Sequence, residues 1–153
     1  MQGWRGCALG LAGLAMLEMS QANGAAADLV VRISNKSFDH VIQQLKWRLG
    51  GDGITIANTF NYQQILKKIK IDSKKSVVFE ILRRPWVKTI LEHDPAAGLE
   101  IPLRVYVHEQ ADGKTVVSYY KPSTLFDSDD DAFRAFGQGL DEKLQTIVQA
   151  ATR

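Results

Sequence analysis

Hydrophobic and polar positions change their period along this chain at short intervals, from two to about 3.6 and back. Leu29 to Ser34 is a β-rich run with Leu29, Val31 and Ile33 on one face. Ser37 then caps a helix from Phe38 to about Leu49, its apolar side made by Phe38, Val41, Ile42, Leu45 and Leu49. Gly50, Gly51 and Gly53 end it. Ile54 to Phe60 reads as a second strand, and Asn61 caps a short helix through Lys70 with Ile65, Leu66 and Ile69 inward. Ser76 to Arg83 is a third strand, and Pro85 opens a helix to about His93. Leu99 to Glu109 alternates most clearly: Leu99, Ile101, Leu103, Val105 and Val107 face one way, while Glu100, Pro102, Arg104, Tyr106 and His108 face the other. Asp112-Gly113 marks a hairpin into a fifth strand, Lys114 to Lys121. Asp129 to about Thr152 is the longest helix, striped by Phe133, Phe136, Leu140, Leu144, Ile147, Val148 and Ala151. The class predicted is α+β: an antiparallel sheet of about five strands, apolar on the side crossed by the C-terminal helix, with shorter helices between strands.

The first residues follow another logic. Arg5 precedes an apolar run from Cys7 to Leu17, and Ala25 and Ala27 supply small residues behind it. That order is the pattern of a cleavable secretion signal over residues 1–27, and the run is too short for the ~20 residues a membrane span needs. The expectation is a periplasmic or secreted protein, cleaved near Ala27 and without a stable membrane anchor. Residues 28–153 would form one domain; about 126 residues can bury a self-sufficient core. Cys7 is the single cysteine and leaves with the leader, so neither disulfides nor thiolate chemistry is expected of the remainder. A net charge of +2 gives no concentrated basic face for nucleic acid.

Candidate chemistry gathers on the polar face of the fourth strand. Arg104, Tyr106 and His108 share one side, and the hairpin brings Ser118 and Tyr120 beside them if its turn is a three-residue loop with a bulge at Gly113. Such groups suit a small anionic or aromatic ligand, set against the alternative of an ordinary solvated face. Trp47 falls about 180° from the core stripe of its helix, on the side shared with His40. It therefore needs cover from a neighbouring helix or from a partner subunit. The three histidines, His40, His93 and His108, lack ligand-pair spacing. Asp127 to Asp131 fails the calcium-loop pattern, because Ala132 and Gln138 stand where Gly and Glu are needed. Lys67 to Lys75 reads as a solvated face. Gly137 and Gly139 suggest a close helix–sheet approach, with a ligand-filled hollow as the alternative. No nucleophile elbow, phosphate loop or dinucleotide fingerprint appears, so no catalytic residue, metal ligand or cofactor is assigned.

Taken in order, Ser37-Phe38-Asp39, Phe79 through Pro85, Asp94 through Pro102 (DPAAGLEIP) and Pro122 resemble the family called domain of unknown function 302. The resemblance spans about residues 36–150. It implies an α+β fold related to the TATA-binding-protein-like or helix-grip class, with a curved antiparallel sheet and a long C-terminal helix, and it implies a homodimer. It implies no reaction. Where many members hold cysteines, this chain has Arg83-Arg84-Pro85 and Pro102-Leu103-Arg104. The expected function is thus non-enzymatic binding of a small ligand at Arg104, Tyr106, His108, Ser118 and Tyr120, or of a partner at Trp47 and His40. The rivals are an enzyme using His108 and Tyr106, and a histidine/carboxylate metal protein.

Overall fold

The structure is a computed structural model and describes residues 27–126 and 128–153. Residues 1–26 of the expected leader (1–27) and the first aspartate of the acidic run, Asp127, lie outside these residues.

Five strands alternate with helices: β1 (Leu29–Ser34), α1 (Phe38–Gly51), β2 (Thr55–Asn61), α2 (Tyr62–Lys68), β3 (Ser76–Leu82), α3 (Arg84–His93), β4 (Leu103–Glu109), β5 (Thr115–Tyr120), α4 (Pro122–Leu125) and α5 (Asp131–Thr152). Capping side chains start the helices where the sequence places them. Ser37 Oγ accepts from His40 N, Asn61 Oδ1 from Gln64 N, and Asp130 Oδ1 from Phe133 N at 2.8 Å. With Asp130 as its cap, α5 begins at Asp131 rather than at Asp129. The strands form one antiparallel sheet in the order β1-β5-β4-β3-β2. No helix among the described residues is long and apolar enough to cross a membrane.

One face of the sheet is closed. Val77, Phe79, Ile81, Leu103, Val105, Val107, Val117 and Tyr119 pack in a single cluster with the α1 residues Phe38, Val41, Leu45 and Leu49. Leu140, Leu144, Ile147, Val148 and Ala151 of α5 complete it, joined by Trp86 and Ile90 of α3. At roughly 1.5–3 kcal/mol for each large apolar side chain buried, this layer holds the fold together. Trp86 is therefore a core residue.

Four expectations are corrected. In β1, Leu29, Val31 and Ile33 face away from the core and are 57%, 50% and 60% exposed. Antiparallel register sets this orientation, because Val31 lies opposite Ser118 and Ile33 opposite Val116, on the side away from the helices. The inward end of β1 carries Ser34, whose hydroxyl donates to the Thr152 carbonyl at 2.7 Å; beside it Thr115 Oγ1 donates to the Lys36 carbonyl at 2.9 Å. In α2 no residue is buried, and Ile65 and Ile69 lie in solvent. That helix follows the edge strand β2, beyond the reach of the core that α1 and α5 already fill. The strand expected from Leu99 starts only at Leu103. Asp94 and Pro95 initiate a 3-10 turn over Pro95–Glu100, which leaves Leu99 89% exposed. Finally, Gly137 lets α5 approach α4 rather than the sheet: a Cβ there would lie 3.0 Å from Ser123 Cα, whereas Gly139 faces open space.

Candidate functional site

Among the described residues neither α1 nor α5 packs on the second face of the sheet, and the strand register arranges its side chains in rows. Tyr106 lies between Val78 on β3 and Ser118 on β5, with Val31 beyond Ser118 and Phe60 beyond Val78. The next row runs Ile33, Val116, His108 and Ser76. On the other side Arg104 lies opposite Glu80, and the same register carries Tyr120, itself opposite Leu29, across from Arg104. All five residues expected to form a ligand surface, Arg104, Tyr106, His108, Ser118 and Tyr120, are thus brought to one face.

The turn behind this register is tight. Gln110 N donates to Lys114 O and Gly113 N to Gln110 O, with Gly113 at φ 83°. Only glycine takes that conformation without strain. Asp112 Oδ1 accepts from Lys114 N, and hydrogen bonding from Lys114 holds the Asp112 carboxyl below its ordinary value.

The centre of the face is aromatic. The His108 ring stacks on Tyr106 with centroids 5.0 Å apart, and Tyr62, the first residue of α2, reaches Tyr106 at 6.2 Å. His108 Nδ1 is shielded from solvent and has no hydrogen-bond partner among the described residues. The apolar column of β1 flanks this stack on one side, and Phe60 flanks it on the other. At the Arg104 end a cavity of about 410 Å³ opens between the sheet and the 3-10 turn, lined by Glu80, Glu100, Arg104, Tyr120, Leu99 and Leu125 among others. Sequence reasoning missed Phe60, Tyr62, Glu80 and Glu100. The Tyr62 position next to the Asn61 cap was the only local signal, and pairing of β2 with β3 was needed to aim it.

A model of the family described as "Domain of unknown function DUF302" matches residues 29–151. The chain belongs to the DUF302 family. The match takes in every strand and helix above but for the last residue of α5. This DUF302 chain is also similar to the crystal structure of an uncharacterized conserved DUF302 protein from Bacillus stearothermophilus. The two share 18% identity with a TM-score of 0.73, over 82% of this chain and 98% of that one. At that identity the likeness is one of fold. No curated protein matches the chain.

Elsewhere on the DUF302 domain, Trp47 is 70% exposed, so no helix among the described residues covers it. The Arg48 guanidinium sits 5.3 Å from its ring, and the two residues border a hollow of about 250 Å³ between α1 and α5. His40 is exposed on the same helix. His93 lies apart from both other histidines, stacked on Phe133 at 3.8 Å with Nε2 3.1 Å from Ser128 Oγ. Among the described residues no three histidine, cysteine or acidic side chains gather around one metal position. Tyr119 faces the core, where burial, assisted by Asp141, pushes its phenol above the ordinary value.

Proposed function

We propose that this is an exported DUF302 domain whose open sheet face binds a small aromatic or apolar molecule carrying an anionic group. The observation behind the reading is the partly exposed face itself, in which Val78 and Val116 are buried but the β1 column is not. Leaving Leu29, Val31 and Ile33 half exposed forgoes about 1 kcal/mol each relative to full burial, and the same surface presents a ring stack and an exposed arginine. A ring laid on Tyr106 and His108 gains offset stacking, and Arg104 supplies charge-assisted hydrogen bonds at one end. Export is supported by the order of charge, apolar run and small residues before Asp28.

Fluorescence titration with 1-anilinonaphthalene-8-sulfonate, an aromatic sulfonate, tests the surface. Saturable 1:1 binding is expected in the folded protein, weakened about tenfold by Arg104→Ala or Tyr106→Ala and unchanged by Trp47→Ala. Equal binding by all three variants would refute the site. Intact mass of the exported product checks the leader, and retention of Met1 in it refutes cleavage.

Self-association through the Trp47 side of α1 is a second reading, favoured by the exposure of that indole and the hollow beside it. Light scattering that finds a monomer at tens of micromolar would exclude it.

A further inference from the structure

The Arg104 end of the open face carries more charge than an anion alone can use. Glu80 lies directly across β3–β4 from Arg104, and Glu100 closes the adjoining 3-10 turn; all three line the cavity of about 410 Å³. Opposite charges facing each other on neighbouring strands commonly pair. Here the ion pairs of the described residues lie elsewhere, on Lys75, Lys88, Lys114, Lys121, Arg134 and Lys143. Neither the two carboxylates nor the guanidinium has an ionic partner within 4 Å among the described residues. Three charged groups thus border one cavity of a size typical for small ligands, about 300–1,000 Å³, and their sum is −1.

This balance has a consequence for ligand choice. An anion placed on Arg104 would bring its charge close to Glu80 and Glu100 as well, and that repulsion offsets what the guanidinium contributes. A ligand that also carries an ammonium group turns the same two carboxylates from repulsive to attractive. Tyr120 adds an aromatic wall and Leu99 and Leu125 an apolar one, so the ligand's ring can reach from the cavity toward Tyr106. We infer that the cavity is a charge-selecting subsite for aromatic zwitterions, small molecules with a ring, an anionic group held by Arg104 and an ammonium held by Glu80 and Glu100. The inference rests on the open-face reading and narrows it to one ligand class.

Calorimetry at neutral pH with three probes separates the two levels: phenylalanine, 3-phenylpropionate, which lacks the ammonium, and phenethylamine, which lacks the carboxylate. Phenylalanine is expected to bind about tenfold or more tighter than either analogue, the size of one charge-assisted contact. Glu80→Gln and Glu100→Gln should each shrink the preference for phenylalanine over 3-phenylpropionate while leaving 3-phenylpropionate bound as well or better. Thermal melts establish that each variant is folded, and Glu100, on the turn, serves if Glu80→Gln disturbs β3. If 3-phenylpropionate binds as tightly as phenylalanine and depends on Arg104, the zwitterion inference fails and the open-face reading stands. Phenethylamine binding as tightly as phenylalanine also overturns the inference, because the anionic half would then contribute nothing. Absence of binding by all three probes, together with no Arg104 dependence of the aromatic sulfonate, removes both.

Discussion

Two glycines two positions apart in α5 should respond differently to the same substitution. Replacing a helical glycine by alanine stabilises by about 1 kcal/mol when nothing obstructs the new methyl, because the unfolded chain loses freedom and the helix loses none. At Gly139 no atom lies within 4 Å of an added Cβ, so Gly139→Ala should realise the whole gain. At Gly137 the Cβ would stand 3.0 Å from Ser123 Cα and 3.6 Å from Ser123 N. Ser123 cannot drift away at low cost. Its backbone N–H and its hydroxyl both donate to the Asp141 carboxylate, one turn further along the same helix. Overpacking against a fixed backbone costs about 1–3 kcal/mol. The net for Gly137→Ala is therefore between about zero and 2 kcal/mol of destabilisation, against about 1 kcal/mol of stabilisation at Gly139. For a domain of this size a kcal/mol moves Tm by roughly 3–5 °C, so calorimetric melts should separate the two variants by several degrees, with Gly139→Ala above the parent and Gly137→Ala level with it or below. If Gly137→Ala raised Tm as much as Gly139→Ala, the close α4–α5 approach would be wrong.

The orientation of β1 predicts that Val31→Thr changes stability by less than about 0.5 kcal/mol, while Val117→Thr, one strand away but in the core, costs about 1–3 kcal/mol by burying a hydroxyl; urea titration distinguishes them, and a large loss at Val31 would contradict the register. The Asp130 carboxyl is held below its ordinary value of 3.8, chiefly by the hydrogen bond from Phe133 N–H. A carboxylate depressed by folding stabilises above that value and loses its contribution as pH falls through the lower folded one. Asp130→Asn, which still caps, should therefore flatten the fall of Tm below about pH 4, and an unchanged acid profile would argue against the cap's charge. Trp47→Ala should leave Tm within about 2 °C of the parent because the ring has little to lose; if it also lowers the apparent mass in light scattering, the indole lies in a subunit contact.

What local pattern could determine, it did. Period, caps and breakers located each strand and the main helices to within a few residues, because they act on neighbouring residues: Ser37 and Asn61 bond three residues on, and Gly113 turns the chain at a positive φ. The alternation of β4 likewise separated Val105 and Val107 from Arg104, Tyr106 and His108, since a central strand under a helical layer must bury one of its two sets. β1 obeyed the same alternation and was read the wrong way round. An edge strand can leave its apolar set in water, and only its pairing with β5 decides which set that is. The site has the same origin. Glu80, Phe60 and Tyr62 come from elements joined to β4 by register rather than by nearness in sequence, and the cavity at Arg104 exists because a 3-10 turn replaces the first residues of the expected strand. Which residues form strands and helices is a matter of short-range geometry, legible along the chain. Which of them meet on one open face depends on hydrogen bonding between strands up to some ninety residues apart, and that only the folded sheet decides.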